Sequence, residues 1–264
     1  MFKNYRGLWC ILAVALLVYL GVSLWGPIRV GGYELKQSAM ADALLPPAAD
    51  TVTATGASAK TASAGTALKK AVETDTAAKT ILFIGDSMLE GLGPRMAAYA
   101  RQNGHTVYQV MWYSSHSKAW GSTDKLRTYI RQLHPDYIFI CLGANELFVT
   151  NIKEKRAQYV RNMVRDIGDI PFVWIGPPNW KPDTGINELI AENVPMGMYF
   201  KSDGMTFKRS KDGAHPTRES AIEWMDSVAR WMPKHSAHPI RMSVPEMLTA
   251  RPKKIYVHQP SEIP

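Results

Sequence analysis

From Thr80 to Trp231, short apolar runs alternate with longer segments that repeat apolar residues at helical spacing. Parallel strands cannot be joined by a tight turn and need a long crossover, usually a helix. A strand–helix alternation therefore predicts a parallel sheet covered by helices on both faces. The strands are expected at 80–84, 106–112, 137–142 and 171–175, with a short fifth at 205–207. Helices are expected at 91–103, where Leu92, Met96 and Tyr99 share a face, and at 123–133, where Leu126, Ile130 and Leu133 do. Three more are expected at 151–167, at 187–200 with Pro195 interrupting, and at 217–231 with Thr217 as N-cap. Gly104-His105 reads as the turn that ends the first of them.

Ahead of this region the chain changes character twice. Lys3 and Arg6 precede an uncharged run from Gly7 to Ile28. At 1.5 Å per residue such a run can span a bilayer core of about 30 Å. Positive charge before it favours a cytoplasmic N-terminus and an exported remainder, and Trp9 and Trp25 sit where aromatic belts form. A cleavable signal peptide is the competing reading, with Ala39-Met40-Ala41 resembling a cleavage site. That tripeptide lies well past the apolar run, so an uncleaved anchor over 1–28 is favoured. Residues 29–79 are rich in Ala, Thr and Ser with almost no aromatics, too little to bury a core, and read as a flexible tether. The domain is placed at 80–233. The tail at 234–264, rich in Pro, Lys and His, is assigned to no element; packing over the sheet edge and contact with a partner are both open.

Three short blocks carry the chemistry: Gly85-Asp86-Ser87, Gly143-Ala144-Asn145-Glu146 and Asp212-Gly213-Ala214-His215. The first two follow expected strands one and three, and so share the carboxyl rim of the sheet, where sites form in α/β folds. A serine hydroxyl is a weak nucleophile until a base takes its proton. Ser87 is the candidate nucleophile, His215 the base and Asp212 the group that orients the imidazole, three residues away across a turn that Gly213 eases. The Ser87 N–H and the Asn145 amide are candidate oxyanion donors, beside Gly143. Each block alone is an ordinary turn; their joint occurrence, in order, points to acyl-group chemistry.

At these residues the chain resembles the SGNH/GDSL hydrolase superfamily over roughly Thr80 to Met232. The resemblance implies a flavodoxin-like three-layer α/β/α sandwich, a Ser-His-Asp triad and an oxyanion hole with three donors. Two positions depart from the pattern. Glu146 stands where the family's third block ends in Asp. In Ser114-Ser115-His116-Ser117-Lys118-Ala119-Trp120-Gly121 no glycine stands close to the second strand, where the family's third donor is expected, which leaves the N–H of Ser117, of Lys118 or, after a longer loop, of Gly121 as alternatives. Asp86, His116 and Trp120 are candidate substrate contacts, and Trp120 and Trp180 candidate sugar-stacking rings. The wording of the first block is similar to that of a membrane-anchored subgroup of the bacterial cell envelope.

The formal net charge of +8 admits anionic partners, but no basic stripe with interleaved aromatics occurs, so nucleic acid is not expected. Cys10 and Cys141 fall in unrelated segments and predict no disulfide. Beyond the loose His235/His238 pair no histidine spacing suits a metal, so none is expected, and no cofactor motif is present. The expected function is a serine esterase acting on acyl, chiefly O-acetyl, esters of an envelope polysaccharide or peptidoglycan. Its expected partners are that glycan, the membrane through the N-terminal helix, and a membrane acyl-transfer protein. The same residues serve an O-acyltransferase, and a catalytically silent glycan-binding or assembly protein is the third reading.

Overall fold

The computed structural model describes residues 28–30, 33–35 and 72–264. The expected membrane anchor, apart from Ile28, and most of the expected tether lie outside them. Among the described residues no helix is long and apolar enough to cross a membrane. Contacts divide the chain into two units, 1–65 and 66–264. In the first, β1 (Ile28–Val30) pairs antiparallel with β2 (Tyr33–Leu35), with Ile28 opposite Leu35.

In the second unit, β3 (Thr80–Gly85), β4 (Thr106–Trp112), β5 (Tyr137–Cys141), β6 (Phe172–Ile175), β7 (Tyr199–Phe200) and β8 (Lys254–His258) form one sheet. Its order is β7-β6-β5-β3-β4-β8 and every pairing is parallel. Counted from β3, the first five strands have the order 2-1-3-4-5 of a doubly wound sheet, whose switch point falls between the first and third. Here that is the gap between β3 and β5, and the Ser87 and Asn145 blocks leave the sheet on its two sides.

Side chains of β3 alternate across the sheet, as the pleat requires. Ile81 and Phe83 join the core under α1 (Leu89–Asn103) and α6 (Arg218–His235), with Leu92, Met96, Trp224 and Val228. Leu82 and Ile84 join the opposite core, under α2 (Ser117–Gly121), α3 (Lys125–Leu133), α4 (Ile152–Ile167) and α5 (Ile186–Asn193). α1 stops at Gly104, left-handed at φ 76°, where the His105 N–H closes back on the Ala100 carbonyl at 2.8 Å. Thr217 caps α6 by accepting from the Ser220 N–H at 3.3 Å.

Two expectations need correction, and the tail that was left open finds its place. The helix expected at 187–200 ends at Asn193: Pro195 pushes Val194 to φ −105°, ψ 133°, outside the helical region. The fifth strand is Tyr199–Phe200, not 205–207, because it is Tyr199 and Phe200 that pair with Trp174 and Ile175. The unassigned tail supplies β8, which pairs with β4 and takes the sheet edge.

Candidate active site

The chain leaves β3 at Gly85 and turns through Asp86, Ser87 and Met88 into α1. The Leu89 N–H donates to the Asp86 carbonyl at 3.2 Å and the Glu90 N–H to the Ser87 carbonyl at 3.1 Å, so the turn is internally bonded. It leaves Ser87 half-buried, its N–H without a partner among the described residues and at the positive end of the α1 dipole. Far along the chain, the Asp212–His215 turn is closed by Asp212 Oδ1, which accepts from the N–H groups of Ala214 (2.9 Å) and His215 (3.0 Å). Its other oxygen accepts from His215 Nδ1 at 2.7 Å. A carboxylate only accepts, so Nδ1 carries the proton and Nε2 is left as acceptor. Nε2 stands 2.8 Å from Ser87 Oγ. Residues 128 positions apart thus form one proton path from hydroxyl to carboxylate.

The Asp212 carboxyl is held down to about 2, first by the His215 N–H, then by the Ala214 N–H and the imidazole. Asp86 behaves oppositely. It is fully buried, which pushes its carboxyl up to about 7. Its Oδ1 accepts from the Met88 N–H at 2.9 Å, and its Oδ2 faces Asn145 Nδ2 at 3.4 Å. The other Asn145 amide hydrogen goes to the Ser115 carbonyl at 2.9 Å. Asn145 therefore ties the first block to the β4–α2 loop.

Asp86 carries a pH dependence with a definite sign. Its folded carboxyl sits above its ordinary value of 3.8, so the stability it contributes is fully present below that value and is lost as pH rises to about 7. Asp86→Asn removes this titration. Its melting temperature relative to the wild type should be higher at pH 8 than at pH 4; a difference that does not change between those pH values would refute the assignment.

Gly143 sits at φ 124°, and a Cβ there would meet the Pro177 ring at 2.8 Å. Its role is conformational: it opens the short 3-10 turn Ala144–Glu146 that presents Asn145. Glu146, one residue on, is fully buried and binds Arg156 Nε at 2.8 Å. It also accepts from the Ser117 N–H at 2.9 Å and the Ser117 hydroxyl at 2.7 Å. Ser117 therefore has no free N–H for an oxyanion, which corrects one expected donor. Gly121 lies in α2, where a Cβ would meet the Tyr159 backbone of α4 at 2.3 Å, so close helix packing explains that glycine.

Two expected substrate contacts are also displaced. Trp120 is fully buried against Trp112, and its indole N–H donates to Ser115 Oγ at 3.0 Å. Asp86 lies behind Ser87, with both oxygens turned to protein donors. His116 caps α2 by accepting from the Ala119 N–H at 3.1 Å, and burial lowers its pKa. Trp180 donates its indole N–H to the Ala144 carbonyl at 2.9 Å, beside Asn145, and stands edge-on to the exposed Phe148.

A groove of about 720 Å³ opens beside Ser87, His215 and Asp212. Tyr113, Ser114, Arg218 and Thr249 also line it. Sequence reasoning proposed none of these four as a site residue, although Ser114 opened the segment searched for the third donor and Arg218 stands three residues beyond His215.

No protein-family model matches this chain, and no curated protein does. Solved structures do. The chain is similar to the psychrotrophic esterase EstA from Pseudoalteromonas sp., in a structure inhibited by monoethylphosphonate: 20% identity over 58% of this chain and 97% of that one, TM-score 0.41. It is similar to the salicylyl-acyltransferase SsfX3 from a tetracycline biosynthetic pathway, at 17% identity over 60% of this chain and 55% of that one, TM-score 0.42. A Clostridium thermocellum family 3 carbohydrate esterase matches at 16% identity over 58% of this chain and 94% of that one, TM-score 0.40.

Proposed function

We propose that this chain is a serine esterase acting on O-acyl, chiefly O-acetyl, esters of a cell-envelope polysaccharide or peptidoglycan. The observation that carries this reading is the unbroken path from Ser87 Oγ through His215 to the Asp212 carboxylate. Ser87 Oγ attacks the ester carbonyl carbon while His215 Nε2 takes its proton. The Ser87 N–H and the Asn145 amide receive the oxyanion. The bond to the alcohol oxygen then breaks, and His215 returns the proton to that oxygen. Water repeats the sequence on the acyl-enzyme, releasing the acid and restoring Ser87.

The envelope setting rests on the sequence at 1–28: Lys3 and Arg6 ahead of an uncharged run that is long enough to hold the domain at a membrane, with the remainder exported. A sugar hydroxyl replacing water in the second half would make the enzyme an O-acyltransferase. The groove beside His215 has room for such an acceptor.

The test is cleavage of p-nitrophenyl acetate by the full-length protein and by Ser87→Ala, with and without an oligosaccharide acceptor. Nitrophenol release that needs Ser87, with free acetate as the acyl product, is the expected result. Acetylated oligosaccharide as the main product would move the assignment to the transferase. A folded protein with no Ser87-dependent release would leave the silent binding protein as the better reading.

A further inference from the structure

The catalytic residues form only part of the groove. In acyl transfer the base hands its proton to the departing alcohol oxygen, so the alcohol half of the ester has to lie against the imidazole. The groove lies there, along His215 and Asp212, and Asn145 is not among its lining residues. Its volume, about 720 Å³, falls in the range of about 300–1,000 Å³ typical of pockets for drug-sized ligands, and so suits an alcohol far larger than a short acyl group.

The groove's polar side chains match a particular alcohol. Arg218 offers guanidinium donors from the first turn of α6. Glu90, exposed in the first turn of α1, offers carboxylate acceptors and is bonded by the Tyr113 hydroxyl. Donors and acceptors interspersed along one groove suit a polyhydroxylated ring rather than an alkyl chain.

The C-terminal segment holds both walls. On one side Arg218 Nη2 donates to Thr249 Oγ1 at 3.2 Å. On the other, the Tyr113 N–H donates to the carbonyl of His258, the last residue of β8, at 3.1 Å. Between them the Ala250 N–H donates to the carbonyl of Pro94, which also lines the groove, at 2.9 Å. Beneath lies Arg95, almost fully buried, which donates from Nη1 to the Met247 and Leu248 carbonyls (3.0 and 3.1 Å) and from Nε to Asp226 at 2.7 Å. A buried guanidinium given to two backbone carbonyls of the segment fixes where Thr249 stands.

We propose that this groove is the subsite for the alcohol half of the ester, that it takes a sugar ring through Arg218, Glu90 and Tyr113, and that the C-terminal segment completes it through Thr249. The proposal rests on the acyl-ester reading above and names where that substrate's glycan sits.

The test compares kcat/KM of the full-length protein on 6-O-acetylglucose and on p-nitrophenyl acetate. These share the acyl half and differ in the alcohol. Arg218→Ala should lower the sugar-to-aryl ratio by roughly tenfold or more, the loss of a charge-assisted bond, and Tyr113→Phe by roughly threefold, the loss of a neutral one. Thr249→Val, which keeps the shape and removes the acceptor for Arg218, should lower the ratio in the same direction. An unchanged ratio in all three variants would overturn the subsite and leave the esterase standing. So would variants that alter only the p-nitrophenyl octanoate-to-acetate ratio, since the groove would then hold the acyl half. Absence of Ser87-dependent cleavage of either ester would overturn the esterase reading itself, and the subsite with it.

Discussion

Replacing Ser87 by alanine should lower kcat for p-nitrophenyl acetate by about 10⁶-fold, the scale seen when a serine protease loses its nucleophile. The reason is geometric. Ser87 Oγ is the only atom of that side chain on the proton path, 2.8 Å from His215 Nε2, and alanine offers nothing in its place. What persists is binding together with the oxyanion donors. His215→Ala should cost about as much, and the double variant no more than either single one, because the two residues act as a unit. Ser87 is half-buried and its backbone turn is held by main-chain bonds, so the variant should unfold in urea within about 0.5 kcal/mol of the wild type. A loss below tenfold in a folded variant would remove Ser87 from the mechanism.

Asp212→Asn should lower kcat by about 10⁴-fold, as expected when the orienting carboxylate becomes an amide. The amide oxygen can keep the bonds that Asp212 Oδ1 accepts from Ala214 and His215, so the turn survives. The amide nitrogen, a donor, then faces Nδ1 where a carboxylate oxygen stood at 2.7 Å. Nδ1 must become the acceptor and the proton moves to Nε2, the wrong nitrogen for receiving one from Ser87. Steady-state kinetics beside a melting curve checks this: kcat should collapse while the melting temperature falls only modestly, by the loss of the charged acceptor for His215. Asp212 itself sets no limb of the activity profile near neutrality. Its carboxyl lies below its ordinary value of 3.8, so its contribution to stability is present above that value and is lost as pH falls to about 2.

The alternation of apolar runs and helical periodicity was enough to predict the parallel sheet, and four of its strands lie close to their expected positions. These patterns are local, since a strand's pleat and a helix's buried face repeat within a few residues. β7 was misplaced because a two-residue strand has no period to read and is defined only by its partner, Trp174-Ile175. β8 went unassigned for a related reason. At an edge only one neighbour is present, and Ile255 and Val257 stay exposed, so burial left no clear pattern on the segment.

The site divides along the same line. Ser87, Asp212 and His215 were readable because each sits in a short block whose turn chemistry is written in adjacent residues, and the ends of β3 and β5 placed two blocks on one rim. Which donors are free was not readable. Glu146, 29 residues away, consumes the N–H and hydroxyl of Ser117. Trp120 had the composition of a sugar platform but points into a core built by distant segments. The sequence by itself determined the sheet, the order of the three blocks and the short turns that carry Ser87, Asp212 and His215, because those depend on neighbours along the chain. Only the tertiary structure decided the burial of Asp86, the partners of Ser117 and Asn145, and the groove walls that the C-terminal segment ties together. Burial and hydrogen-bond partnership are properties of what packs against a residue, and here those partners come from the far side of the fold.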